Sequence, residues 1–153
     1  MFSDRIEMSA QQLIDAVRSA EFFDLVEITE PEPNALRLVL AEMSVDDKAG
    51  GESSPVPRAL PVRRGSRDRI FEVSWERYAA YTVLNESYDS GNGEDVFEGN
   101  LFRIYSKSRY LQFVEEEIEN VVFLAPGYKH WGVVCVNHIV HVIAAAEPRI
   151  FHR

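Results

Sequence analysis

The stretch Ile70-Phe71-Glu72-Val73-Ser74-Trp75-Glu76 indicates the fold class, because apolar and polar residues alternate strictly from Phe71 to Glu76. A period of two places the apolar side chains on one face, so the stretch predicts a strand half-buried against a core. Ala79, Tyr81 and Val83 continue the same parity. Arg77 interrupts it, which indicates a bulge or a bend away from the core.

Further strands are predicted on both sides of this stretch. Residues 25–29 and 36–40 alternate in the same way around two prolines, Pro31 and Pro33, and this pattern predicts a hairpin. Residues 101–105 and 121–124 also have strand-like composition. Residues 131–146 are almost all apolar and rich in valine and isoleucine, which predicts a central strand covered on both faces, bent or interrupted near Asn137.

Two helices are predicted from their start signals. Ser9 and Gln12 have the spacing of a capping box before an apolar repeat. Ser106 or Ser108 offers an N-cap for a second helix with an apolar stripe over residues 110–118. Together with the strands, these helices predict an α+β fold, with a mostly antiparallel sheet flanked by at least two helices.

Length and composition indicate one globular domain over residues 1–153, with 46% hydrophobic and 27% charged residues. Residues 44–68 contain serine, glycine and three prolines, and we expect a flexible internal loop there. We also expect a cytoplasmic protein without a membrane span, because the first twelve residues do not resemble a secretory signal and no apolar run reaches 18 residues.

The net charge of −9 opposes binding to nucleic acid or to an anionic membrane. The charge is uneven: residues 1–50 carry a net charge of −7, and residues 71–100, with seven acids and one base, carry −6. Tyrosines among acids supply rigid contact area and attract cationic surfaces. We therefore expect a basic protein partner and a predicted hairpin over residues 76–98 as the interface. The expected partner-binding residues are Glu76, Tyr78, Tyr81, Glu86, Tyr88, Asp89, Glu94, Asp95 and Glu98.

No complete catalytic, metal-binding or phosphate-binding motif is present in the sequence, so we expect no enzyme activity, no metal and no cofactor. On a strand, His138 and His141 would point to opposite faces. The alternative hypothesis is a small enzyme or ligand-binding domain with a pocket near Tyr105, Arg109, Asn137 and His138. A homodimer formed through an exposed strand edge is a third possibility.

Residues 97–111, together with residues 85–87 and 137–140, resemble small bacterial proteins of the immunity type that are found beside polymorphic toxins. The resemblance covers residues 70–145. It implies a cytoplasmic antitoxin that neutralises a cognate toxin by direct protein–protein binding. It implies no catalytic residues.

Overall fold

The structure is a computed structural model of the chain, and it describes residues 4–17, 22–45, 62–63, 69–88, 93–118 and 127–153. These ranges contain eleven strands, two α-helices and a short 3-10 helix. The strands are β1 (Ile6–Met8), β2 (Phe22–Thr29), β3 (Leu36–Val45), β4 (Val62–Arg63), β5 (Ile70–Trp75), β6 (Ala80–Asn85), β7 (Val96–Glu98), β8 (Phe102–Lys107), β9 (Lys129–Val134), β10 (His138–Ala144) and β11 (Arg149–His152). The helices are α1 (Ala10–Ala16) and α2 (Arg109–Ile118), and the 3-10 helix is Glu86–Tyr88.

The strands form two antiparallel sheets. Sheet I has the order β1-β11-β5-β3-β2, with β4 pairing to the end of β3. Sheet II has the order β6-β10-β9-β8-β7. The α+β class is therefore confirmed. The antiparallel strands are divided between two sheets rather than forming the single sheet that we expected.

The hydrophobic core lies between the two sheets. Trp75 on β5 and Trp131 on β9 meet there, with ring centroids 6.0 Å apart. Phe71 and Val73 are fully buried beside Trp75, as the alternation predicts. Leu13 of α1 belongs to the same buried cluster, so this helix covers part of the core. Burying these large side chains supplies the main stabilisation of the fold.

The chain crosses from sheet I to sheet II at residues 76–79. The Tyr78 N–H donates to the Asn34 carbonyl of sheet I's β2–β3 turn, at 2.9 Å. The Ala79 N–H donates to the Ile143 carbonyl of sheet II, at 2.7 Å. The apolar alternation before and after this crossing therefore lies on two strands, β5 and β6, which belong to different sheets. Arg77, which interrupts the pattern, is exposed at this crossing.

The apolar run over residues 131–146 is interrupted near Asn137, as predicted, but it forms two adjacent paired strands, β9 and β10, rather than one central strand. The Cys135 N–H donates to the His138 carbonyl at 2.7 Å and closes the turn. Asn137 is exposed in this turn. Both strands carry buried residues on both faces, which explains why the hydrophobic run is nearly continuous.

Both predicted helices are present. The capping box of α1 is confirmed, because the side chains of Ser9 and Gln12 each accept the other residue's backbone N–H. Helix α2 follows Ser108, whose hydroxyl oxygen accepts the Leu111 N–H at 2.9 Å. Tyr110 of α2 contacts histidine rings on the outer face of sheet II, so this helix packs against that face.

The predicted internal loop over residues 44–68 lies mostly outside the described residues. Residues 44–45 belong to β3, and residues 62–63 form β4. Residues 46–61 and 64–68 lie outside the described part of the chain. In the described ranges no helix is long and apolar enough to cross a bilayer.

Candidate functional site

The predicted hairpin over residues 76–98 is not formed. Strand β6 pairs with β10 and strand β7 pairs with β8, so the two strands lie at opposite edges of sheet II. Four strand spacings separate them, which corresponds to about 19 Å. The acidic residues that are close in sequence are thus divided between two edges.

One group of predicted residues is brought together with two residues that the sequence analysis did not single out. Glu76, Tyr78 and Tyr81 lie at the crossing into β6. The β2–β3 turn contacts Tyr78 through Glu30 and Asn34, and Glu32 lies between them in this turn. We call Glu30, Glu32, Glu76, Tyr78 and Tyr81 the tyrosine–acid patch. It combines the loops of two different sheets at one end of the molecule.

The two tyrosines of the patch are held in a fixed arrangement. Their ring centroids are 4.9 Å apart, with planes nearly perpendicular at 88°. The Tyr78 hydroxyl donates to the Glu30 carboxylate, and this hydrogen bond raises the pKa of Tyr78 to about 12. Both tyrosines are half-buried, so part of each ring remains accessible. The patch therefore offers aromatic surface that is already ordered.

The charge of the patch is negative. Glu30, Glu32 and Glu76 are all exposed, and Arg77 is the basic residue that follows Glu76 in the sequence. Within the described ranges, neither Glu32 nor Glu76 forms an ion pair. Their charges are therefore directed to solvent, where they can attract a cation.

The other predicted partner residues lie elsewhere. Glu86 begins the 3-10 helix at the far end of β6. Asp95 accepts the Arg109 N–H at 3.0 Å at the start of α2, and Glu98 accepts from Gln11 of α1 at 3.2 Å. Glu94 is exposed just before Asp95. The side chain of Tyr88 and the whole of Asp89 lie outside the described part of the chain.

The four residues of the alternative pocket are not brought to one place. Tyr105 is buried on β8, level with His130 on β9 and Ile143 on β10. Asn137 and His138 lie at the other end of β10. Five residues of strand separate His138 from Ile143, which is about 17 Å. Arg109 is exposed at the first position of α2.

A buried polar network lies under α2, and the sequence analysis missed it. Ser108 Oγ is 2.7 Å from His130 Nδ1, and His130 Nε2 is 2.9 Å from His141 Nδ1. His130 is fully buried. Burial lowers the pKa of His130 to about 3, and His141 adds to the lowering. His130 is therefore neutral at physiological pH.

The aromatic surroundings fix the His130 ring. The Tyr105 ring stacks on it with centroids 3.9 Å apart and planes within 6° of parallel. The Tyr110 ring contacts it at 5.5 Å and 67°. Gly132 makes room for the stack, since a Cβ at this position would lie 2.8 Å from the Tyr105 ring. The ring is therefore positioned by packing as well as by hydrogen bonds.

This network attaches the start of α2 to the outer face of sheet II. Ser108 is buried, and its oxygen already accepts the Leu111 N–H. In either direction of proton donation, the neutral His130 ring uses one nitrogen towards Ser108 and the other towards His141. Both nitrogens are thus committed to internal bonds. Recognising that residues 129–144 form a hairpin would have placed His130 and His141 on one face.

Among the described residues, no three His, Cys, Asp or Glu side chains are grouped as a metal ion requires. The thiol of Cys135 is buried, and burial together with the charge of Asp24 raises its pKa to about 12. Comparison of the chain with protein-family models, with curated proteins and with solved structures found no match.

Proposed function

We propose that the protein is a binding module of the immunity type, which neutralises a basic bacterial toxin by direct contact through the tyrosine–acid patch. The observation that carries this proposal is the meeting of the β2–β3 turn with the crossing into β6. That meeting places three exposed carboxylates beside two ordered tyrosines. The resemblance of residues 70–145 to immunity proteins supports the same role.

The chemistry of the patch fits capture of a cationic protein. Exposed carboxylates increase the rate of encounter with a positive surface, and this increase falls as salt screens the charges. Tyr78 and Tyr81 supply contact area with little loss of side-chain freedom, because each ring already packs on the other. The expected partner surface is rich in lysine or arginine and includes an apolar position that receives a tyrosine ring.

The proposed inhibition is steric. The patch does not need to react chemically with the toxin. The end of the two sheets would cover the toxin surface that is bound there and so block access to it. The net charge of −9 favours approach of a basic toxin from any direction, and the patch supplies the specific contacts. The toxin's own reaction does not enter this mechanism.

The test uses the product of the gene adjacent to the one that encodes this chain. The two proteins are co-expressed, and association of the purified pair is measured at low and at high salt. We expect a complex whose association slows as salt rises. The double variant Glu32→Lys/Glu76→Lys should slow association by about ten-fold or more at low salt and should weaken the salt dependence.

A matched variant separates the patch from the overall charge. Glu115→Lys/Glu117→Lys makes the same change in net charge on the exposed side of α2. We expect it to slow association much less than the change in the patch. Equal slowing by both variants would remove the patch from the interface. Failure of the wild-type protein to form any complex with the adjacent gene's product would contradict the proposed function.

A further inference from the structure

Among the described strands, the four at the ends of the two strand orders differ in how they are protected against pairing with another strand. Strands β1 and β7 are three residues long, and β7 also has a register shift between Val96 and Phe97. Strand β2 has a bulge between Leu25 and Glu27. Strand β6, Ala80–Asn85, has six residues in unbroken register with β10 and no charged side chain. Within the described part of the chain, β6 lacks the usual protection of an edge strand.

Strand β6 presents backbone hydrogen-bonding groups along its outer edge. The Glu86 N–H donates to the Asn137 carbonyl on the β10 side, at 3.1 Å. Because the bonding direction alternates along an antiparallel strand, Tyr81, Val83 and Asn85 direct their N–H and C=O groups away from β10. Among the strands that the structure describes, none pairs with this edge.

Two large apolar side chains on β6 are also exposed. Val83 is 40% exposed and the neighbouring Leu84 is 43% exposed. Single exposed apolar residues are common on proteins. Two of them on a regular, uncharged edge strand instead favour the addition of another strand.

We propose that β6 pairs with β6 of a second copy of this chain, in antiparallel orientation, with the two-fold axis at Val83. In this register Val83 lies opposite Val83 of the second copy, and Tyr81 lies opposite Asn85 of the second copy. The outward-pointing N–H and C=O groups of each copy then face the outward-pointing groups of the other copy. Each such pair exchanges two hydrogen bonds, so about six bonds form across the axis.

One pair of opposite charges that flanks β6 fits this orientation, while the exposed Glu76 beside Arg77 adds to the repulsion between the copies. Arg77 precedes the strand and Glu86 follows it. The antiparallel pairing sets the Arg77 end of one copy beside the Glu86 end of the other. The two Glu86 side chains are kept about 20 Å apart along the strands, beyond the screening length of about 8 Å in physiological salt. The pairing thus avoids a contact between the two Glu86 side chains.

The net charge predicts how the dimer responds to salt. Each copy carries a charge of −9, so the two copies repel each other, and salt weakens this repulsion. One strand pair also buries less area than a standard interface of about 1,600 Å². We therefore expect a reversible dimer that strengthens as protein concentration and salt rise. This salt response is opposite to that expected for toxin binding, and the inference does not depend on the proposed function.

Sedimentation velocity over a range of protein concentrations, at low and high salt, tests the dimer. Val83→Lys places two lysines opposite each other across the axis and should weaken dimerisation by about ten-fold or more. Val26→Lys is the matched control, because Val26 is 46% exposed on edge strand β2. It should dimerise like the wild type. A protein that stays monomeric at every concentration and salt would overturn the proposal.

Cross-linking tests the register and does not depend on the lysine variant being well folded. Val83→Cys brings two cysteines together on the axis, so mild oxidation should give a covalent dimer. Leu84→Cys is equally exposed but lies opposite Thr82 of the second copy, and it should cross-link far less. The native Cys135 is buried and does not compete. Equal cross-linking of the two variants would overturn the proposed pairing.

Discussion

The polar side chains on the outer faces of the two sheets differ in charge and in exposure to water. On sheet I, charged groups pair near the surface: Glu72 accepts from Arg5 and from Arg37, whose Nε lies 3.1 Å from it. On sheet II, neutral rings are packed beneath a helix, with His130 between Ser108 and His141. The sheet I face carries partly exposed ion pairs among Arg5, Arg37, Glu72 and Glu27, which we call the sheet I lattice. The sheet II face holds a buried hydrogen-bond network.

The difference shows where polar interactions control the stability of this fold. Ion pairs that water reaches contribute little, because solvent screens the charges and side-chain freedom is lost in forming them. A buried donor or acceptor that loses its partner costs much more, since water cannot replace the bond. The sheet II network should therefore dominate the response of stability to mutation and to pH, although it contains fewer polar groups than the sheet I lattice.

The largest expected effect comes from removing His130. The variant His130→Ala leaves a cavity beside Tyr105 and takes the partner from both Ser108 and His141. We expect the free energy of unfolding to fall by about 3–5 kcal/mol. Urea denaturation followed by circular dichroism measures this change.

His138→Ala is the control for the loss of a histidine from sheet II. His138 lies at the other end of β10 and is half-buried, and it takes part in no side-chain hydrogen bond among the described residues. We expect a loss well below that of His130→Ala. Similar losses in the two variants would show that the network under α2 has no special weight.

The second effect is a loss of stability in mild acid. Burial lowers the pKa of His130 from its usual value near 6.5 to about 3, so the unfolded chain binds a proton that the folded chain excludes. The stabilisation is complete above pH 6.5 and decreases as the pH falls from 6.5 towards 3. The slope approaches about 1.4 kcal/mol per pH unit. Urea denaturation at several pH values from 7.5 to 5 measures it.

A variant that cannot titrate identifies the source of this slope. His130→Phe retains a ring beside Tyr105 but has no proton to bind, so its unfolding free energy should depend much less on pH over the same range. His138→Gln should retain the wild-type slope. If His130→Phe and the wild type lose stability in parallel, another group is responsible for the acid sensitivity.

Local features of the fold could be predicted because they depend on neighbouring residues. The alternation of Phe71, Val73 and Trp75 indicated a half-buried strand, and all three are buried. The Ser9–Gln12 spacing indicated a helix start, and its two reciprocal hydrogen bonds are present. Each of these signals spans a few residues, within which the period of the chain fixes the direction of each side chain.

Long-range features could not be predicted, because the same local pattern is compatible with different partners. The parity of Trp75 resumes after Arg77 and includes Tyr81, but the two residues lie on strands of different sheets. The contact between Glu30 and Tyr78 joins residues 48 positions apart in the sequence. His130 and His141 required the β9–β10 turn to be recognised first. Strand order therefore determined which acidic residues met, and composition did not.

The smallest expected effect is on the sheet I lattice. Hydrogen bonds from Arg37 and Arg5 lower the pKa of Glu72, so its contribution is present above its unfolded pKa of about 4.5 and is lost at lower pH. At neutral pH, Glu72→Gln keeps the shape of the side chain and removes its charge. We expect it to lower the free energy of unfolding by no more than about 1 kcal/mol, and by less in high salt.

Glu27→Gln is a weaker change on the same lattice, because Glu27 is more exposed and, among the described residues, forms an ion pair with Arg37 alone, at 3.2 Å. Its effect on the free energy of unfolding should be close to zero at any salt concentration. Urea denaturation of both variants at neutral pH, in low and high salt, checks the order. A loss of unfolding free energy for Glu72→Gln as large as that for His130→Ala would contradict the contrast between the two faces. Such a loss would require the Glu72 carboxylate to be as poorly hydrated as the buried His130 ring.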